Sequence, residues 1–112
     1  MKIYHNPRCS KSRQGVQLIK DAGIEPEIIE YLKHPLSEED LKEIISLLGI
    51  RPIELVRKNE AIWKENYKGK ELSDAQVIEA MASHPKLIER PIVIKNGKAV
   101  IGRPPENIQQ LF

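Results

Sequence analysis

Residues 2–32, KIYHNPRCSKSRQGVQLIKDAGIEPEIIEYL, decide the fold. Lys2 to His5 alternates polar and apolar side chains and stops at Asn6-Pro7, where proline cannot continue a ladder, so it reads as a short strand. From Ser10 the apolar positions Val16, Ile19 and Ala22 recur at helical spacing, and Gly23 is placed to close the helix. Pro26 to Leu32 gives a second strand. Strand, helix and strand within about thirty residues make a βαβ unit.

Working outward, Ser37-Glu38-Glu39-Asp40 is a capping box, and the helix it opens runs through Leu41, Ile44, Ile45 and Leu48 to Gly49. A short helix is expected from Pro52. Ser73-Asp74-Ala75-Gln76 opens a further helix through Val77, Ile78 and Met81 that must end before His84-Pro85. The stretch from Asn59 to Glu71, with Trp63 and Tyr67, has no clear periodicity. Ile92-Val93-Ile94 and Ala99-Val100-Ile101 flank Asn96-Gly97, the strongest short-range hairpin signal. A terminal helix is expected from about Pro105. The order β-α-β, helices, β-β-α predicts an α/β fold: a four-stranded mixed sheet flanked by helices, with a helical insertion between the βαβ and ββα halves.

The 112 residues fit one domain, 1–112, and 40% hydrophobic with 30% charged residues is an ordinary globular composition. A net charge of +2 from 18 basic and 16 acidic residues, interspersed along the chain, is too weak for a nucleic-acid footprint. Nowhere do about 18 apolar residues run together, and no signal-peptide-like stretch follows Met1. The expectation is a cytoplasmic protein, with no membrane or nucleic-acid partner.

Cys9 is the single cysteine. It sits at the expected helix N-terminus, among Arg8, Lys11 and Arg13, where free N–H groups and cations favour the thiolate. His5 and the hydroxyls of Ser10 and Ser12 are within reach of the same loop. Position 12 is serine, so there is no Cys-x-x-Cys pair, and any adduct on Cys9 must be resolved by an external thiol. Position 15 is glycine, so the phosphatase-type Cys-x5-Arg loop is absent as well. His34 and His84 precede prolines at element boundaries and have no metal-ligand spacing.

His5-Asn6-Pro7-Arg8-Cys9-Ser10-Lys11-Ser12-Arg13 resembles the active-site loop of the glutaredoxin-dependent arsenate reductase family. Leu55-Val56-Arg57-Lys58-Asn59, Arg90-Pro91-Ile92-Val93 and Gly102-Arg103-Pro104 resemble that family's three anion-site segments, in the same order. The resemblance implies a thioredoxin-like fold with Pro91 as its cis-proline. It implies that Cys9 is the catalytic thiol, helped by His5 and Ser12, and that Arg57, Arg90 and Arg103 hold the oxyanion. It implies reduction of arsenate to arsenite, an arsenic detoxification chemistry, with glutathione as co-substrate and glutaredoxin as partner. No bound cofactor or metal is expected, and the protein is expected to be a monomer.

Arginine is suited to that role, since it carries planar, paired, permanently charged donors. Arginines alone do not select arsenate over phosphate, so a glutathione-linked thiol oxidoreductase of the same fold with another substrate is the alternative. A third reading is an RNA polymerase-binding regulator, which resembles the same fold but often carries the Cys-x-x-Cys switch that Ser12 removes. The chain is also shorter than the fuller arsenate reductases, ending soon after Arg103.

Overall fold

Lys2–Tyr4 (β1), Glu27–Ile29 (β2), Ile92–Lys95 (β3) and Lys98–Ile101 (β4) form one four-stranded sheet in the order β2-β1-β3-β4. β1 pairs in parallel with β2, Ile3 opposite Ile28, and antiparallel with β3, Ile3 opposite Val93. The sheet is therefore mixed, as expected. β3 and β4 pair antiparallel around Asn96 and Gly97, whose φ angles of 51° and 76° are both positive. That is the turn whose twist matches the flanking strands, and glycine adopts it without a Cβ penalty.

The computed structural model describes residues 1–112, which divide into two compact units: Met1–His34 with Arg90–Phe112, and Pro35–Glu89. The first unit contains the sheet. Its helix Ser10–Asp21 (α1) provides the crossover that two adjacent parallel strands require. Ile3, Ile19, Val93, Ile108 and Leu111 form its core, each nearly or wholly out of water. Burying an aliphatic side chain of this size contributes about 1.5–3 kcal/mol. Ile108 and Leu111 come from Pro105–Leu111, which is a 3-10 helix rather than the α-helix its position suggested. It packs on α1 and β4.

Two glycines permit that packing. A Cβ on Gly15 of α1 would lie 3.0 Å from Ile108 Cδ1 and 3.1 Å from Pro91 Cγ; one on Gly102 would lie 2.8 Å from Pro91 Cγ. The Gly102 gap is too short for a methyl group unless the Pro91 ring shifts, while those at Gly15 are tight enough that Ile108 or Pro91 would have to give by a few tenths of an ångström.

The second unit is helical: Glu38–Leu48 (α2), Ala61–Asn66 (α3) and Asp74–Ser83 (α4), with 3-10 turns at Pro52–Leu55 and Pro85–Leu87. Both expected capping boxes form, Ser37 with Asp40 and Ser73 with Gln76, and Gly49 closes α2 at φ 68°. Leu41, Ile44, Leu55, Met81 and Leu87 are buried in its core. Val56 bridges Ile88, and the backbone bonds Arg57 N–H to Leu87 carbonyl (2.7 Å) and Glu89 N–H to Leu55 carbonyl (2.8 Å) extend this pairing. Trp63 stacks on Tyr67 at 5.2 Å between ring centroids, and His84 meets Tyr67 edge-on at 6.3 Å. No helix is long and apolar enough to cross a membrane.

Candidate active site around Cys9

The loop between β1 and α1 is tied down by its own short polar side chains. His5 N–H donates to the Ile29 carbonyl at 2.8 Å, carrying the β1–β2 pairing one residue past the strand. Asn6 then makes three bonds. Its carbonyl accepts the Cys9 N–H at 3.0 Å, its Oδ1 accepts the Arg8 N–H at 3.0 Å, and its own N–H donates to Ser12 Oγ at 3.0 Å. Ser12 Oγ also lies 2.6 Å from His5 Nδ1. Arg13 Nη1 donates to the Pro7 carbonyl at 2.9 Å. With Ser12 fully buried and His5 and Asn6 nearly so, this network fixes the loop against the first turn of α1.

Cys9 is the N-cap of α1, with extended backbone at φ −94° and ψ 122°, and its side chain is partly exposed. The first turn contains no acidic residue. Burial pushes the Cys9 thiol up, but the Ser12 N–H, the hydrogen bond and charge of Arg90, and the Lys11 N–H together hold it below its ordinary value. The sulfur makes no full capping bond to an amide, so these N–H groups act mainly as the positive end of the helix. His5 is likewise held below the usual imidazole range, first by burial and then by Arg13, with Glu30 opposing. The neutral ring is thus favoured near pH 7, and the Ser12 hydroxyl is placed to donate to Nδ1.

The cations come from the other end of this unit. The Arg90–Pro91 peptide is cis, in keeping with the expectation for Pro91, and so is Arg103–Pro104, which the sequence reading did not anticipate. Arg103 Nε donates to the Arg90 carbonyl at 2.9 Å, and its Nη2 reaches Cys9 Sγ at 3.5 Å. The contact to sulfur is long, and the hydrogen bond that lowers the thiol comes from Arg90 instead, so the two guanidiniums address one sulfur in different ways. Asn107, which sequence reasoning missed, donates through Nδ2 to the Ile101 carbonyl at 3.3 Å and the Arg103 carbonyl at 3.1 Å, pinning the backbone that carries Arg103.

The first unit thus brings together Cys9, His5, Ser12, Arg90 and Arg103. Arg57 belongs to the second unit, where its Nε lies 3.7 Å from a Glu89 oxygen and its Nη1 3.9 Å from a Glu60 oxygen. No group of three or more His, Cys, Asp or Glu side chains is arranged to hold a metal ion. A thiol held below its ordinary pKa beside two arginines is equipped to attack an anionic electrophile, because the arginines offset the charge repulsion between thiolate and substrate.

The ArsC family model matches residues 4–111. An arsenate reductase of Neisseria meningitidis is 42% identical and spans all of this chain and 97% of its own length. An arsenate reductase of Escherichia coli is 40% identical over 98% of this chain but only 79% of its own length. Among solved structures, an arsenate reductase from Vibrio cholerae superposes with a TM-score of 0.94 at 46% identity, covering 100% of this chain and 98% of that one.

Proposed function

Because this chain belongs to the ArsC family, we propose that it reduces arsenate to arsenite, with Cys9 as nucleophile, glutathione as co-substrate and glutaredoxin as reductant. The observation that supports this most is the single thiol, lowered below its ordinary pKa at a helix N-terminus, with Arg103 at 3.5 Å and Arg90 bonded to the same sulfur. Arsenate binds against Arg90 and Arg103, which neutralise its charge and orient arsenic toward the sulfur. The Cys9 thiolate attacks arsenic, an As–S bond forms and an oxygen departs as water after protonation. With no second cysteine in the chain, the adduct needs an external thiol, and glutathione attacks it. That attack displaces a second oxygen as water and leaves arsenic bonded to both sulfurs. The glutaredoxin thiolate then attacks the glutathione sulfur, the electron pair of that As–S bond stays on arsenic, and a glutaredoxin–glutathione mixed disulfide forms. Water frees arsenite and the Cys9 thiol.

In this reading His5 and Ser12 are positioning residues: they hold the Ser12 amide, the thiol's main helper, in place. The resemblance of its segment assigns Arg57 to oxyanion binding too, and a rise in KM for arsenate in Arg57→Ala, with little change in the Cys9 titration, is the expected result. The protein acts as a cytoplasmic monomer without a resident cofactor.

The deciding measurement is arsenite production in the presence of glutathione and glutaredoxin, by wild type and Cys9→Ser. Wild type is expected to turn over, and Cys9→Ser to lose activity to background. Undiminished activity in the variant overturns the mechanism. If glutathione reacts quickly with Cys9 while arsenate neither reacts nor slows that reaction, the chemistry is that of a thiol oxidoreductase with another substrate.

A further inference from the structure

β1 and β2 are adjacent and parallel, so the loops leaving their C-terminal ends lie side by side. In α/β sheets the crevice beyond the carboxyl ends of such strands is the usual ligand position. Here the two loops enclose a cavity of about 210 Å³, lined by Asn6, Pro7 and Arg8 after β1 and by Glu30, Leu32 and Lys33 after β2. Its wall therefore begins one residue before Cys9. Neither Arg90 nor Arg103 lines it, so it is separate from the pair of cations that address the sulfur.

The lining has a definite charge pattern. Arg8 is exposed, and only its backbone N–H has a bond, to Asn6 Oδ1. Lys33 is 72% exposed and meets Glu30 at 3.6 Å in an ion pair that water weakens. Leu32, 38% exposed, and Pro7 supply apolar surface between these charges. Two cations, one carboxylate and an apolar strip complement an extended peptide that carries two carboxylates and one ammonium group.

We propose that this cavity is the docking site for glutathione, the small thiol peptide with that set of charges; the proposal rests on the reading above that glutathione is the co-substrate. Arg8 and Lys33 take its two carboxylates, Glu30 faces its ammonium group, and Leu32 with Pro7 supports the backbone. A volume below the ~300 Å³ of ordinary ligand pockets means that the cavity holds only part of the tripeptide's bulk, its charged ends being met by Arg8, Lys33 and Glu30 at the rim while the central cysteine stays free to extend toward Cys9. Binding is accordingly weak and electrostatic, and it is adapted to present a sulfur rather than to retain a product.

The test uses S-methylglutathione, which cannot react, titrated into the full chain with backbone amide NMR shifts as readout. Shifts are expected to cluster at residues 6–8 and 30–33. Lys33→Glu, a change on an exposed side chain, is expected to raise the dissociation constant about 5- to 10-fold. In turnover assays the same variant is expected to raise KM for glutathione by a like factor while KM for arsenate changes less than about twofold. Shifts confined to other residues, or unchanged affinity in Lys33→Glu, overturn the proposal. Because the analogue needs no chemistry, absence of arsenate turnover would count against the proposed function and leave the binding result to stand by itself.

Discussion

Arg103 holds Arg90 by donating its Nε proton to the Arg90 carbonyl at 2.9 Å, across thirteen positions of chain. One guanidinium thereby fixes the segment carrying another and still presents Nη2 to Cys9 Sγ at 3.5 Å. Lysine keeps the charge but has no planar fork and cannot do both. A hydrogen bond involving a charged group contributes about 1.5–3 kcal/mol, so Arg103→Lys is expected to lower kcat/KM for arsenate about 10- to 100-fold. Steady-state kinetics with saturating glutathione and glutaredoxin measure it, and a loss below twofold would remove Arg103 from the site.

The thiol titration tests Arg90 separately. Burial raises the Cys9 pKa, while the Ser12 amide, Arg90 and the Lys11 amide lower it, with the lowering side winning. Arg90→Ala removes both a hydrogen bond and a charge from that side, so the midpoint must move up. Alkylation rate against pH should show a wild-type midpoint below the ordinary thiol range of about 8.5 and a higher one in Arg90→Ala. The folded thiol binds fewer protons than the unfolded one between those values. This contribution to stability is therefore complete above the ordinary thiol pKa and is lost as pH falls through the folded value. An unmoved midpoint in Arg90→Ala would mean that Arg90 does not act on the sulfur.

These two arginines also mark where the sequence could and could not be read. Asn96-Gly97 and the Ser37 and Ser73 capping boxes were legible because each is a local device whose partners lie within three residues. Helix α3 was not, since its N-cap Glu60 makes no side-chain capping bond and only Trp63 of its six residues is buried. The Val56–Ile88 bridge joins residues far apart in the chain, and no periodicity marks a single bridged pair. The 3-10 form of Pro105–Leu111 was hidden for a related reason: Ile108 and Leu111 repeat at a spacing of three that an amphipathic α-helix shares. At the site, the residue types around Cys9 were readable, whereas the Arg103–Arg90 tie and the Asn107 clamp depend on tertiary folding. The ion pairs of Arg57 with Glu89 and Glu60 were likewise invisible in a motif that carries only the arginine.

Ser12 is the one buried hydroxyl that both Asn6 N–H and His5 Nδ1 use. Ser12→Ala leaves a buried amide without its acceptor, a change that costs about 1–3 kcal/mol. For a domain near this size each kcal/mol moves the melting temperature by about 4–8 °C, so a loss of several degrees is expected. The backbone N–H of residue 12 remains in Ser12→Ala, but its position is less well held, and the Cys9 midpoint should rise modestly. A variant that melts with wild type and titrates like it would show that the His5–Ser12–Asn6 network does not organise the loop.

Gly15 and Gly102 make opposite bets on the same neighbours, the Pro91 ring and Ile108. In Gly102→Ala the new methyl meets Pro91 Cγ at 2.8 Å and Ile108 Cδ1 at 3.0 Å with nothing to offset the overlap, and overpacking of this kind costs about 1–3 kcal/mol. Gly15 lies inside α1, where alanine is favoured over glycine by up to about 1 kcal/mol, and its nearest contacts are slightly longer, 3.0 and 3.1 Å. Gly15→Ala should therefore fall close to wild type in a denaturant melt, with Gly102→Ala clearly below both. Because Gly102 N–H also bonds the Pro91 carbonyl at 2.8 Å, displacement of that ring shifts Arg90 with it. Gly102→Ala should then raise the Cys9 midpoint while Gly15→Ala raises it less. The reverse order in the melts would show that helix propensity, not the space beside Pro91, is why position 15 matters.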